Sequence, residues 1–198
     1  MVALLKWIKR QFPFIWQWID YINALIVSLL YSKKISQATQ STLCKYQCQP
    51  FSYRQISGND IPALSKMLLK QTDEYTRYFH PHKFDEKSLT QLLHNKAFLM
   101  LGAFDGYNII GYHFIRFFAN RQCFRGNIVV PNYQGKRIGS NMIKQMTEIG
   151  LTAGFRVFAT VSKNNASSLA SSKALSEIRI IEELPDNDLL IEHINIKP

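Results

Sequence analysis

Apolar residues recur at two spacings in residues 51–198, one typical of β-strands and the other typical of α-helices. Strand-like alternation or continuous apolar runs occupy residues 51–56, 98–104, 109–118, 122–130, 155–161, 178–184 and 189–196. Helical spacing occupies residues 61–68, 85–95, 135–150 and 166–175, and residues 72–85 are expected to form a loop. This order predicts a mixed α/β domain in which helices cover both faces of one sheet.

Residues 12–31 form a strongly apolar stretch, with 15 apolar or aromatic residues among 20 and basic residues on both sides. A transmembrane helix is disfavoured because Gln17, Asp20 and Asn23 interrupt the stretch at three-residue spacing. On an insertion scale a central Asp costs roughly 2.5 to 3.5 kcal/mol, whereas each Leu or Ile returns only about 0.3 to 0.6 kcal/mol. A wide Trp-rich apolar face with a narrow polar stripe is instead typical of an amphipathic helix that lies in a membrane interface.

Three interpretations of residues 1–35 stay open. The helix attaches to a membrane surface, or it packs against its own domain or a second subunit in a homodimer. The third is a secretory signal with a small-residue pair at Ser36 and Ala38, which Lys33 and Lys34 disfavour. Residues 36–50 are polar and predict a linker. We therefore expect an N-terminal helix with its linker, residues 1–50, followed by a folded domain, residues 51–198.

Composition and charge narrow the classes of partner. A hydrophobic share of 46% and a charged share of 19% indicate a globular protein. Residues 1–55 hold +6 of the formal net charge of +10, and the rest lacks the dense basic stripe that nucleic-acid binding favours. We expect small anionic ligands or anionic membranes as partners and no nucleic acid. Three cysteines without a Cys-x-x-Cys pair predict a reducing, cytoplasmic location, peripheral to a membrane if the helix attaches there, and no metal site.

The most informative segment lies between residues 127 and 141, where a tight loop joins a buried strand to an amphipathic helix. Gly135 and Gly139 occupy this loop and the start of the helix, where the backbone must come close to another group. Unpaired amides and the dipole at a helix N-terminus bind phosphate, and Lys136 and Arg137 add positive charge. The spacing matches neither a Walker loop nor a Rossmann turn. The segment therefore predicts a cradle for a pyrophosphate.

The same segment resembles the hallmark of the GNAT superfamily of acyl-CoA N-acyltransferases. In that family a strand ends in Val-x-Pro, and Tyr-(Arg/Gln)-Gly-x-Gly-(Ile/Leu)-Gly then opens a helix. This chain has Val-Val-Pro-Asn-Tyr-Gln-Gly-Lys-Arg-Ile-Gly from residue 129 to residue 139. The resemblance covers about residues 51–196 and extends to Asn165 after the next strand. It implies a mixed, mostly antiparallel GNAT sheet preceded here by the N-terminal amphipathic helix.

The resemblance also implies acetyl-CoA as the co-substrate. The backbone of Ile128, Val129 and Val130 would run beside the pantetheine arm, and an amide there would polarise the thioester carbonyl. The pyrophosphate would be held by Gly135, Lys136, Arg137, Ile138, Gly139 and Ser140. Asn165 would hydrogen-bond the pantetheine or the phosphate region.

Two departures from the family pattern concern the cradle and the leaving group. Arg137 stands where the family usually has glycine, and Ser172 stands where a tyrosine often protonates the departing thiolate. A serine hydroxyl is a weak general acid. Ser172 therefore enters the expected catalytic set as a departure, beside His113, whose alternation with apolar neighbours is at least as typical of a core residue as of a base.

The acceptor side is less sharply defined by the sequence. The loop that carries Tyr78, Phe79, His80 and His82 is expected to shape the acceptor pocket. The implied function is transfer of an acetyl group from acetyl-CoA to a primary amine by direct attack, with an amino sugar or another small amine as acceptor. Two alternatives are a protein or peptide N-acetyltransferase and a non-catalytic module that binds acyl-CoA.

Overall fold

The computed structural model describes residues 13–47 and 50–197. In this part of the chain, six α-helices and seven β-strands follow the order that the sequence predicts, with α1 first. The elements are α1 (Pro13–Lys45), β1 (Phe51–Gln55), α2 (Ile61–Leu69), α3 (Asp73–Thr76), α4 (Glu86–His94), β2 (Phe98–Asp105), β3 (Asn108–Phe117), β4 (Gln122–Val129), α5 (Ile138–Thr152), β5 (Arg156–Ser162), α6 (Ala166–Leu175), β6 (Ser176–Leu184) and β7 (Asp188–Ile196). The short helix α3 lies where a loop was expected.

All seven strands form one sheet in the order β1-β2-β3-β4-β5-β7-β6. Every neighbouring pair is antiparallel except β4 and β5, which are parallel. A hairpin joins β2 to β3 through Gly106 and Tyr107, and Gly106 has a φ of 57° that suits glycine. The expectation of a mixed, mostly antiparallel sheet is confirmed.

Helices cover both faces of the sheet, as expected. On one face, α2 and α4 pack Leu64, Leu68 and Leu89 against β2 and β3. On the other face, Val27 of α1 and Met142 of α5 enter a second cluster of buried side chains. Each such buried aliphatic side chain contributes about 1.5 to 3 kcal/mol through the hydrophobic effect. The central strands are therefore held between two apolar layers, which fixes the positions of the loops at their ends.

The expected linker is largely helical, because α1 continues to Lys45. Its polar composition conceals a stripe of buried residues at helical spacing, which consists of Ile35, Ala38, Thr39 and Thr42. Thr39 satisfies its buried hydroxyl by donating to the carbonyl of Ile35 at 2.7 Å. Small side chains can thus pack closely against the domain without leaving that hydroxyl unpaired. The domain boundary at residue 50 stays a prediction.

Of the polar stripe Gln17, Asp20 and Asn23, the last two face the domain and Gln17 is exposed. The helix packs against its own domain, which is one of the interpretations that the sequence left open. Asp20 accepts from Arg116 at 2.6 Å. The side-chain amide of Asn23 donates to the carbonyl of Phe117 and its oxygen accepts from the amide of Ala119, both at 2.9 Å. These bonds pair backbone groups at the end of β3 that would otherwise lack partners. No helix within the described ranges is both long and apolar enough to cross a membrane.

Candidate active site

A cleft opens in the sheet between the two parallel strands. β4 and β5 pair only through their first three residues, from Gln122 opposite Arg156 to Phe124 opposite Phe158. Beyond this point the strands separate, and residues 125–129 and 159–162 line the two sides of a cleft of about 880 Å³. Such a volume lies within the range of small-molecule and cofactor sites.

The exposed backbone edge of β4 forms one wall of the cleft. The amide of Val130 donates to the carbonyl of Ile110 on β3 at 2.9 Å. Because successive residues of a strand direct their backbone groups to opposite sides, the amide and carbonyl of Val129 face the cleft. Its carbonyl accepts a hydrogen bond from the hydroxyl of Tyr75. Of the three residues expected beside the pantetheine arm, Val129 offers its backbone and Ile128 also lines the cleft.

The expected pyrophosphate cradle forms the mouth of this cleft. Gly135 has a φ of 75° and Arg137 a φ of 62°, so the backbone enters the left-handed region twice before α5 begins. The first helical hydrogen bond runs from the amide of Asn141 to the carbonyl of Arg137 at 3.0 Å. Within the described residues, none of the amides from 135 to 140 donates a hydrogen bond. Six successive free donors and the helix dipole therefore suit an anion.

The cradle residues named from the sequence come together, with one exception. Gly135, Arg137, Ile138, Gly139 and Ser140 all line the cleft. Lys136 does not, and its ammonium lies 4.8 Å from the ring centre of Tyr133. The positive φ at residue 137 gives a physical reason for the glycine that is usual in the family, and Arg137 adopts the same conformation with the strain that a Cβ brings.

Asn165 lies on the opposite wall, at the start of α6. Its side-chain oxygen accepts from the amide of Ser168 at 3.1 Å and so caps the helix. Among the described residues its side-chain NH₂ group donates to none. That group is therefore available to a ligand, because Asn165 also lines the cleft.

His113 is a core residue in the structure and not a candidate base. It is fully buried, and its Nε2 lies 3.1 Å from the side-chain oxygen of Gln145 on α5. Burial lowers the pKa of His113 to about 3, so the ring is neutral near pH 7. His113 does not line the cleft, and it has no route to an acceptor amine.

The four residues expected at the acceptor pocket divide into two pairs. Tyr78 and Phe79 line the cleft, whereas His80 and His82 do not. His82 lies in an aromatic cluster, where its Nε2 is 3.1 Å from the hydroxyl of Tyr112 and burial lowers its pKa. His80 is exposed beside Phe84.

Ser172 is buried and contacts only neighbouring residues of the protein. Its hydroxyl accepts from Nη2 of Arg125 at 3.4 Å. Arg125 is a candidate that the sequence analysis did not name, and it lines the inner end of the cleft with an exposure of 7%. The available signal was a basic residue within an otherwise buried strand, beside the family motif. Among the described residues, no group of three or more His, Cys, Asp or Glu side chains could hold a metal ion.

Several solved structures share this fold with the chain. PaiA N-acetyltransferase from Thermoplasma acidophilum, in complex with coenzyme A, is 19% identical over 73% of this chain and 99% of that chain, with a TM-score of 0.59. Spermidine N-acetyltransferase from Vibrio cholerae, in complex with CoA and spermine, is 14% identical over 75% and 96%, with a TM-score of 0.60. The GNAT domain of S. lividans PAT is 18% identical over 71% and 88%, with a TM-score of 0.60.

One of the two sequence comparisons identifies a family. No curated protein matches the sequence significantly. The sequence model of the acetyltransferase (GNAT) family matches residues 64–172, which is more than half of the chain and includes the cradle and most of the cleft. The chain therefore belongs to the acetyltransferase (GNAT) family.

Proposed function

We propose that the protein transfers an acetyl group from acetyl-CoA to the primary amine of a small molecule. The observation that carries this proposal is the run of six free amides from residue 135 to residue 140, five of which belong to residues that line the cleft. A diphosphate needs several N–H donors in one place, and the guanidinium of Arg137 adds charge at the same wall. The structural relatives in complex with CoA support the same donor.

The rest of the donor would follow the wall formed by β4. The backbone of Val129 can bond the pantetheine arm or the thioester, and its amide would polarise the carbonyl that is attacked. The hydroxyl of Tyr75 holds the carbonyl of Val129 in the structure and would have to yield that carbonyl to any amide of the arm. The free NH₂ group of Asn165 would donate from the other wall.

In the proposed reaction the amine nitrogen attacks the thioester carbonyl carbon within a ternary complex. The new C–N bond replaces the C–S bond, the amine loses one proton, and the departing thiolate gains one. No histidine in the described residues lines the cleft. We therefore propose that water in the open cleft removes the amine proton, so that kcat/KM rises with pH up to the pKa of the amine itself.

The acceptor would enter beside Tyr78 and Phe79. These aromatic rings suit a small molecule with an apolar or ring-shaped part, such as an amino sugar. A peptide acceptor would need a longer groove, and a non-catalytic module would bind CoA without turnover. These two alternatives are tested together with the proposal.

The test combines binding with turnover. Calorimetric titration with acetyl-CoA, and separately with CoA that lacks its 3′-phosphate, is expected to give dissociation constants in the micromolar range or tighter. Release of the CoA thiol is then measured across small amines and short peptides. A folded protein that binds neither nucleotide would overturn the proposal. Binding without thiol release from any amine would favour the non-catalytic module, and release with peptides alone would favour the peptide acceptor.

We further propose that α1 attaches the protein to anionic membrane surfaces. Trp18, Ile22, Leu25 and Leu29 lie about one turn apart on the face opposite the core, each exposed by 48% or more. Lys33 and Lys34 are exposed on the following turn. The one acidic residue within α1, Asp20, is paired with Arg116. An apolar stripe with basic residues and no free carboxylate is complementary to anionic lipid.

Point variants test this proposal better than deletion of residues 1–35, because Val27 and Ile35 are buried in the core. The double variant Leu25→Glu/Leu29→Glu should lose co-sedimentation with phosphatidylglycerol vesicles but keep its thermal stability. Phosphatidylcholine vesicles are the neutral control. Equal sedimentation of both proteins would contradict the proposal. A concentration-dependent dimer that the double variant abolishes, without vesicle binding, would assign the stripe to a second copy of the chain.

A further inference from the structure

Arg125 is a buried arginine whose charge no carboxylate neutralises. It is 7% exposed, and it forms no salt bridge with any described residue. The buried carboxylate of Glu192 is already bound by Arg156 at 2.6 Å. Burial lowers the pKa of Arg125 to about 10, so the group is still cationic near pH 7. An uncompensated buried charge costs several kcal/mol, which an anionic ligand can offset.

A network of neutral groups orients this guanidinium. Nη2 of Arg125 lies 2.6 Å from Nε2 of His193. Arginine can only donate, so Nε2 must accept and the proton of His193 is on Nδ1. Nδ1 donates to the hydroxyl of Ser176 at 2.5 Å, and that hydroxyl donates to the carbonyl of Ser172 at 3.0 Å. Burial and the charge of Arg125 both lower the pKa of His193, so its imidazole and the hydrogen-bonded network around it stay neutral.

The network therefore fixes the direction of the guanidinium without cancelling its charge. Nε of Arg125 is buried and has no hydrogen-bond partner among the described residues. In the same part of the chain, no hydrogen bond joins Nη1 to another residue. Arg125 follows Phe124, the last residue of β4 that pairs with β5, so it lies where the two strands separate and lines the cleft there.

The other charges of the cleft are compatible with an anionic substrate. Among the described lining residues, Glu74 is the one acidic side chain, against Arg77, Arg125 and Arg137. Glu74 is exposed, so no carboxylate lies beside Arg125 at the inner end. A polyamine would bring several positive charges towards that arginine and find no buried carboxylate there. The cleft thus disfavours polycationic acceptors.

We propose that the inner end of the cleft binds a substrate carboxylate and that Arg125 is its anchor. This inference rests on the proposed transfer reaction and names its substrate class. The carboxylate belongs either to the amine acceptor, as in an amino acid, or to the acyl chain of the CoA thioester, as in succinyl-CoA. A guanidinium donates charge-assisted hydrogen bonds to a carboxylate, and Nη1 of Arg125, which has no hydrogen-bond partner among the described residues, could donate them.

The test compares substrates that differ in one carboxylate. Initial rates are measured with acetyl-CoA and a series of amino acids against their carboxamides, and with succinyl-CoA against acetyl-CoA on an uncharged amine. One pair is expected to show a preference for the carboxylate of at least about 30-fold in kcat/KM, the lower end of what loss of one partner of a buried charge pair costs. Preference in the first pair assigns the carboxylate to the acceptor, and preference in the second assigns it to the acyl chain.

Variants then connect the preference to Arg125. Arg125→Met should abolish it, so that the ratio of kcat/KM between the two members of the preferred pair falls from at least about 30 to about 1. Arg125→Gln keeps an N–H donor for His193 and serves if the Met variant does not fold. Arg179→Met, an exposed arginine on β6, is the matched control and should change nothing. Equal loss on both members of a pair would overturn the inference and assign Arg125 to the leaving thiolate or to folding.

A binding measurement keeps the inference separate from the proposed reaction. Malonate and succinate alone should raise the Tm of the unaltered protein and of Arg179→Met, but not that of Arg125→Gln. A protein that binds CoA and acetylates amines with no preference for carboxylates would overturn the inference and leave the proposed function intact. A protein that binds neither CoA nor an amine, yet is stabilised by these dicarboxylates through Arg125, would overturn the proposed function alone.

Discussion

Gly139 gives the sharpest test of the cradle, because the structure shows how much space a side chain would have there. A Cβ at this position would lie 3.7 Å from Cγ2 of Val129 and 4.0 Å from the side-chain nitrogen of Asn127, which are ordinary contact distances. Gly139→Ala should therefore fold and bind CoA. Gly139→Gln and Gly139→Glu place nearly identical volumes beside β4 and differ in charge, so their comparison separates electrostatic repulsion from bulk.

The magnitude follows from Coulomb's law. A carboxylate roughly 5 Å from one unit of diphosphate charge is repelled by about 0.8 kcal/mol at the dielectric constant of water and by about 3.3 kcal/mol at an effective value of 20. The cleft is open, and the diphosphate carries about two charges, so we expect about 2 to 4 kcal/mol in total. This corresponds to CoA binding about 30 to 1000 times weaker in Gly139→Glu than in Gly139→Gln.

The assay is calorimetric titration of all three variants with CoA at low and high salt. The Glu-to-Gln difference should shrink as salt rises, because screening weakens interactions between solvent-accessible charges. CoA that lacks the 3′-phosphate should give a similar ratio, since the diphosphate is still present. A glutamate in the first turn of a helix favours the dipole, so the fold should persist. Equal affinity of the folded Glu and Gln variants would refute a diphosphate at the start of α5.

Three further predictions concern stability. Gly135→Ala places a β-carbon at a φ of 75° and should cost about 1 to 2 kcal/mol in thermal unfolding; an unchanged Tm would contradict the left-handed loop. Asn23→Ala leaves the carbonyl of Phe117 without its side-chain donor and should cost about 1 to 3 kcal/mol in urea unfolding. An unchanged free energy of unfolding would show that α1 does not pack against the end of β3. The pKa values of His113 and His193 are lowered in the folded state. As the pH falls, their side chains therefore bind protons in the unfolded chain, near the ordinary histidine pKa of about 6.5, before they do so in the folded protein. Between pH 7 and pH 5.5 each should therefore remove about 1.3 kcal/mol of stability, and a flat profile would show that they are not buried and neutral.

The order of the elements was predictable because it depends on local periodicity. The helix α6 begins and ends where the sequence indicated, since Asn165 caps it through its own side chain. The cradle was predictable for a similar reason. A positive φ at Gly135 and a helix start at residue 138 are properties of a few neighbouring residues. Both features could be read without knowing what packs against them.

The length of α1 was not predictable from composition. Residues 36–45 are mostly small or polar, which is typical of a linker, yet Ala38, Thr39 and Thr42 are buried. Close packing against the domain selects small side chains. Thr39 satisfies its hydroxyl within its own helix, whereas the hydroxyl of Thr42 has no hydrogen-bond partner among the described residues. The same composition therefore describes two opposite environments, and only the tertiary contacts distinguish them.

The reacting end of the cleft was hidden because it joins residues that are distant in sequence. Ser172 departs from the family tyrosine, and considered alone it indicates a weakened general acid. In the structure its hydroxyl accepts from Arg125, which lies 47 positions earlier and reaches the same space from the other side of the cleft. A guanidinium with a pKa of about 10 releases almost no protons at neutral pH, so it cannot replace the tyrosine as an acid. What it adds there is a fixed positive charge, which stabilises an anion. Among the described residues, the tyrosines Tyr75, Tyr78 and Tyr133 line the cleft, so the proton for the departing thiolate comes from one of these hydroxyls or from water. On our proposal, Arg125 acts on which substrate the cleft accepts and not on how the thiolate leaves.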